Sequence, residues 1–76
     1  MGIDFFNVFY RGVNANADNF TAQLFRLIAK ADMQNKARLA IGFPKEMALY
    51  LWWMQQEQRP DKDAVMKKAA ELEAKP

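Results

Sequence analysis

Phe43-Pro44-Lys45-Glu46-Met47-Ala48-Leu49-Tyr50-Leu51-Trp52-Trp53-Met54-Gln55-Gln56-Glu57-Gln58 is the stretch that decides the fold. From Met47 to Met54 it holds eight consecutive apolar or aromatic residues. At about 100° per residue these cover the whole circumference of a helix. Leu51, Met47 and Met54 fall on one side, Trp52 and Ala48 on a second, Leu49 and Trp53 on a third, and Tyr50 closes the circle. Pro44 suits the first turn, where its missing N–H costs no hydrogen bond, and Glu46 complements the helix dipole. The pattern predicts a helix over 44–58. Being apolar all round, it must be covered all round, either by the rest of a short chain or by a partner.

Working outward, Arg59-Pro60-Asp61 reads as a break followed by a cap, and a last helix is expected over about 62–74. Val65, Met66, Ala69 and Leu72 form its only sizeable stripe. Asp63 with Lys67, and Lys67 with Glu71, are i,i+4 charge pairs on a solvated helix that docks lightly or frays. Upstream, Gly42 is placed to end a short linking helix over 33–41 as its C′ residue. Met33, Ala37, Ala40 and Ile41 would point inward from that helix, with Lys36 and Arg38 directed elsewhere. Asp32 interrupts the preceding helix or caps this one.

The preceding helix is expected over about 17–31, capped by Asp18 or Asn16. Phe20, Leu24, Leu27, Ile28 and Ala31 recur at i, i+4, i+7, i+8 and i+11, and Phe25 widens the stripe. Gln23, Arg26 and Lys30 lie on the opposite face. The first thirteen residues, MGIDFFNVFYRGV, read as a short helix or helical turn capped by Asp4. The same aromatics are good strand formers, but no second strand is available to pair with them. Gly12 and Asn14-Ala15-Asn16 then break the element.

At 76 residues the chain makes one domain with a small core. There is no cysteine and no histidine. A disulfide is therefore excluded, and any metal would need carboxylates alone, for which no ligand loop is present. Serine is absent and Thr21 is the lone threonine, so the usual nucleophile–base pairs cannot be built. The acidic residues are scattered, and neither enzymatic activity nor a cofactor is expected. The net charge of +2 neither demands nor excludes an anionic partner. No signal peptide is visible, and no apolar run nears the ~20 residues of a membrane helix. The expectation is a soluble, cytoplasmic protein with no membrane partner.

Two constellations point to binding. The first is the aromatic–methionine band of Met47, Tyr50, Trp52, Trp53 and Met54. Trp52 and Trp53 lie ~100° apart on a helix, so if one faces the core the other turns partly away. Such residues are enriched in interfaces, which makes the band the candidate interface, although Leu51, Met47, Leu49 and one of the two tryptophans read more readily as core. The second is Arg26, Lys30, Lys36 and Arg38 around the Asp32 break. These form either a solvated face or an anion-binding set beside a helix junction. In a symmetric oligomer such bases converge across the axis. A helix–break–helix likeness to DNA-reading motifs also exists, but the second helix is short and the charge low.

The segment Asn19 to Trp53 carries Phe20-Thr21-Ala22-Gln23-Leu24-Phe25-Arg26-Leu27-Ile28, Lys30-Ala31-Asp32, Asn35, Arg38-Leu39 and Gly42-Phe43-Pro44. It resembles short phage- and prophage-encoded proteins. The resemblance implies an accessory protein of anti-defence type, working in the host cytoplasm by covering a host protein or, as an oligomer, by sequestering a nucleotide signal. No ligand motif is carried over with it.

These readings converge on a single all-α domain: a compact bundle of three main helices with short N-terminal and linking helices. Residues 1–13 form the aromatic element, 17–58 the core helices and 61–76 the charged last helix. The expected function is non-enzymatic binding by a homo-oligomer that sequesters a nucleotide-type anion or blocks a host protein. A small DNA-binding regulator and a structural subunit without ligand are the alternatives.

Overall fold

The order of elements follows from three local stops. A computed structural model describes residues 1–11 and 19–75. Helix α1, Gly2–Phe6, runs on into a π-helical turn, Asn7–Arg11; α2 is Phe20–Lys30, α3 Met33–Gly42, α4 Pro44–Met54 and α5 Lys62–Ala74. There is no strand among the described residues. The expected breaks at Gly12 and Asn14 to Asn16, and the caps proposed at Asn16 and Asp18, lie outside the described residues.

Three of the four long helices start on a side-chain cap. Asn19 Oδ1 accepts from Ala22 N at 2.9 Å, Asp32 Oδ1 from Asn35 N at 2.8 Å, and Asp61 Oδ1 from Ala64 N at 2.8 Å. Each satisfies an N–H that the helix itself cannot. Asp4 does not cap α1: it sits inside the first turn and accepts from Asn19 Nδ2 at 2.8 Å, tying α1 to the start of α2.

Pro44 sets the junction between α3 and α4. A residue before proline is driven out of the helical region. Phe43 accordingly has φ −134° and ψ 65°, ends α3 and begins α4. Gly42 is therefore the last helical residue of α3 and not its C′ residue. The end of α4 comes at Met54, four residues before the expected Gln58. Gln56 Nε2 donates to the Trp52 carbonyl at 2.8 Å, which also accepts from Gln55 N at 3.2 Å, and Arg59 donates to the Phe9 carbonyl with its guanidinium 4.0 Å from the Tyr10 ring centre. The chain is thus turned out of the helix by contacts to the N-terminal aromatics.

The core lies where α1, α2, α4 and α5 meet. Phe5, Phe25, Ile28, Leu49 and Val65 are fully buried, with Leu24, Met47, Tyr50, Ala69 and Leu72 around them. The Phe5 ring packs on those of Phe9, Phe25 and Trp53 at centroid distances of 4.5, 5.1 and 5.5 Å. The Cα radius of gyration is 11.7 Å, close to the ~11.4 Å that a single domain of this length shows. The last helix is not lightly docked. Gly2 approaches it so closely that a Cβ would meet Ala69 Cβ and Met66 Sδ at 3.0 Å each. Its ion pairs among the described residues are Glu73 with the Met1 amino group at 3.1 Å and Lys68 with Glu71 at 3.9 Å, in place of the two expected through Lys67.

Two helices are rotated from their expected faces. In α2 the buried side is Ala22, Leu24, Phe25 and Ile28. Phe20 and Leu27, expected inside, are 68% and 47% exposed. In α3 the rotation is larger: Met33 and Ile41 are 88% and 85% exposed and Ala37 is exposed with them, while Ala40, as expected, and Leu39 pack on the core. Lys36 explains this. Its Nζ donates to the Ala31 carbonyl at 2.8 Å and lies 5.6 Å from the Tyr50 ring centre. That anchor turns the Met33–Ala37–Ile41 row outward, since Lys36 and Ala37 lie ~100° apart.

Candidate binding groove

The rotation of α2 and α3 opens a groove between them. Leu27 and Leu39 form its floor and are shared by two hollows. One hollow, ≈ 380 Å³, is lined by Phe20, Gln23, Leu24, Leu27, Leu39 and Phe43. The other, ≈ 540 Å³, adds Lys30, Ala31, Asp32, Asn35 and Arg38. Phe20 and Phe43 close the apolar end as a tilted ring pair, 5.8 Å between centroids. At the far end Arg38 Nη1 donates to Asn35 Oδ1 at 3.4 Å, holding the guanidinium along the rim.

The four predicted bases therefore divide. Lys30 and Arg38 border one hollow. Lys36 is used inside the fold, closing the C-terminal end of α2. Arg26 is half-buried on a different flank of α2 and lines neither hollow. Of the four, the groove brings Lys30 and Arg38 to one hollow and leaves Arg26 apart from Lys30.

The aromatic band divides too. Met47 and Tyr50, expected at an interface, are buried in the core of the single chain. Trp53 is half-buried against Phe5, Phe9 and Tyr10. Trp52 turns the other way and borders a hollow with Ala64, Lys67, Lys68 and Glu71 of α5. Met54 is exposed, as is Leu51, which was expected in the core. Most of the all-round apolar surface of α4 is thus covered by the chain itself, through the N-terminal aromatics and α5.

The four bases singled out in the sequence also skew the charge along the chain. Residues 19–43, which build the groove, carry four bases and one acid, a net +3. The remaining residues carry seven bases and eight acids, a net −1. The small overall charge conceals a basic segment between Asn19 and Phe43. Among the described residues no polar or charged side chain is buried, and no group of acidic residues is placed to hold a metal ion. No described helix is long and apolar enough to cross a membrane.

The fold and groove define a small all-α bundle with an exposed apolar channel and a basic rim. The chain matches no protein-family model, no curated protein and no solved structure.

Proposed function

We propose that this chain is a non-enzymatic binding protein that uses the α2–α3 groove to cover an acidic, partly apolar surface of another protein. The observation that carries the reading is the continuity of the two hollows through Leu27 and Leu39, with large exposed apolar side chains at one end and Lys30 and Arg38 at the other. Small-ligand sites enclose their ligand and fix it with convergent polar groups. Here the polar groups stand on an open rim. Exposed apolar side chains ringed by charge are the mark of a protein-binding surface. An accessory protein of phage type that blocks a host factor would use such a surface.

Sequestration of a nucleotide is the second reading, because Lys30, Arg38 and Asn35 border a hollow of ≈ 540 Å³, within the range of about 300–1,000 Å³ usual for small ligands. One experiment separates the two. The wild-type chain and the Lys30→Glu, Arg38→Glu double variant are compared in thermal shift against a nucleotide panel, and in affinity capture from host lysate with identification by mass spectrometry. The protein-binding reading expects no nucleotide to raise the melting temperature, and an acidic protein captured by wild type and lost with the variant. A nucleotide-dependent rise abolished in the variant would replace it with the sequestration reading.

A further inference from the structure

The walls of the groove restrict the shape of what it can take. Both are α-helices, and the N–H and C=O groups along their middles are spent on their own ladders. Neither wall offers a row of backbone groups to an added strand, so recognition by strand addition is closed. A segment lying over Phe20, Leu24, Leu27 and Leu39 must satisfy its own backbone while burying side chains there. An α-helix does this, and a third helix laid into the channel between two others is ordinary ridge-into-groove packing.

Length and charge narrow the occupant further. From Phe20 to Ala31 the groove follows α2 for about 16 Å at 1.5 Å per residue. That accommodates about three turns of a docked helix, with apolar side chains at i, i+4 and i+7. The charge of the groove lies at one end, on Lys30 and Arg38 with Asp32 between them, while Phe20 and Phe43 close the other without charge. Two bases against one acid in the lining leave that end at a net +1, which sets the sign.

We infer that the occupant of the α2–α3 groove is an amphipathic α-helix of another protein, about three turns long, apolar on one face and acidic toward one end. This rests on the protein-binding reading above and gives the partner's shape, polarity and sign of charge. The partner helix lies along α2 with its acidic end at Lys30 and Arg38 and its apolar face over Leu27 and Leu39.

The test is a display library of 14-residue peptides on a helix-forming background, randomised on one face, selected against the full chain. Binders are remeasured by fluorescence anisotropy against wild type and against Leu27→Asp, whose site is exposed and whose folding is checked by circular dichroism. The expected binders carry apolar residues at i, i+4 and i+7 and Asp or Glu clustered at one end. Their affinity falls at least tenfold with Leu27→Asp and at least tenfold when their acids are changed to lysine. A mid-helix proline abolishes binding. Acidic binders without helical spacing, or indifferent to the proline, would overturn the helix and leave the acidic-partner reading standing. Binders without acidic enrichment, binders indifferent to Leu27→Asp, or no enrichment at all would overturn both.

Discussion

Trp53 Nε1 donates a 2.8 Å hydrogen bond to Tyr10 Oη across 43 positions of sequence. The same hydroxyl donates onward to the Pro60 carbonyl, and the Arg59 guanidinium covers the ring. One phenol therefore fastens the N-terminal element to the end of α4 and to the segment leading into α5. Tyr10→Phe keeps the ring and removes the oxygen. It leaves a half-buried indole N–H and a carbonyl without their partner, a loss of about 1–2 kcal/mol. In a domain of this size that lowers the melting temperature by about 4–8 °C per kcal/mol. Thermal unfolding followed by tryptophan fluorescence measures the loss. An unchanged midpoint would mean that the hydroxyl network contributes nothing to the fold.

Phe5 is the most consequential side chain of the N-terminal element. It is fully buried and touches the rings of Phe9, Phe25 and Trp53. Phe5→Ala removes about 3–5 kcal/mol, while a chain of 76 residues has about 4–11 kcal/mol in all. The variant is expected to lie at the edge of unfolding at 25 °C, with urea titration of the helical signal showing little or no folded baseline. Retention of more than half of the wild-type stability would show that the aromatic N-terminus is an accessory to the core.

The location of this core shows how far the sequence could be read. Helical spacing and cap chemistry are local, so α2, α4 and α5 and the caps at Asp32 and Asp61 were legible. The rotation of α3 was not. Met33, Ala37 and Ile41 form a helical row that reads as a buried face with Ala40, yet of these only Ala40 packs on the core, beside Leu39, because Lys36 reaches back to the Ala31 carbonyl. A lysine stem packed inward is indistinguishable in sequence from one in solvent. The groove depends on that rotation, so its basic pair, Lys30 with Arg38, could not be found from one-turn spacing on α2. The excess of bases over acids between Asn19 and Phe43 was readable and marks the same region.

The two described glycines predict opposite outcomes for the same substitution. Gly42 ends α3 with nothing within 4 Å of a Cβ position. Gly42→Ala adds helix propensity without a clash and should stabilise by about 0.5–1 kcal/mol. Gly2 faces Ala69 Cβ and Met66 Sδ at 3.0 Å. Gly2→Ala must push α1 from α5, and overpacking of this kind costs about 1–3 kcal/mol, more than the helix propensity gained. Paired denaturant titrations decide the matter. Equal effects of one sign at the two positions would contradict the close approach of α1 to α5.

The basic residues of α3 are predicted to separate into one that holds the fold and one that does not. Lys36 donates to the Ala31 carbonyl, sits over the Tyr50 ring and is half-buried. A hydrogen bond from a part-buried charged group contributes about 0.5–1.5 kcal/mol, and a ring contact of this kind up to about 1. Lys36→Ala should therefore destabilise by about 1–2 kcal/mol, and it frees α3 to roll. Arg38 is exposed, and it donates to Asn35 Oδ1 on the same helix at 3.4 Å. Arg38→Ala should leave stability within about 0.5 kcal/mol of wild type, while weakening any acidic helix selected against the groove. Urea unfolding of both variants, with anisotropy titration of one selected peptide, reads the two effects independently. Loss of stability in Arg38→Ala, or a neutral Lys36→Ala, would mean that another contact sets the face α3 turns to the groove.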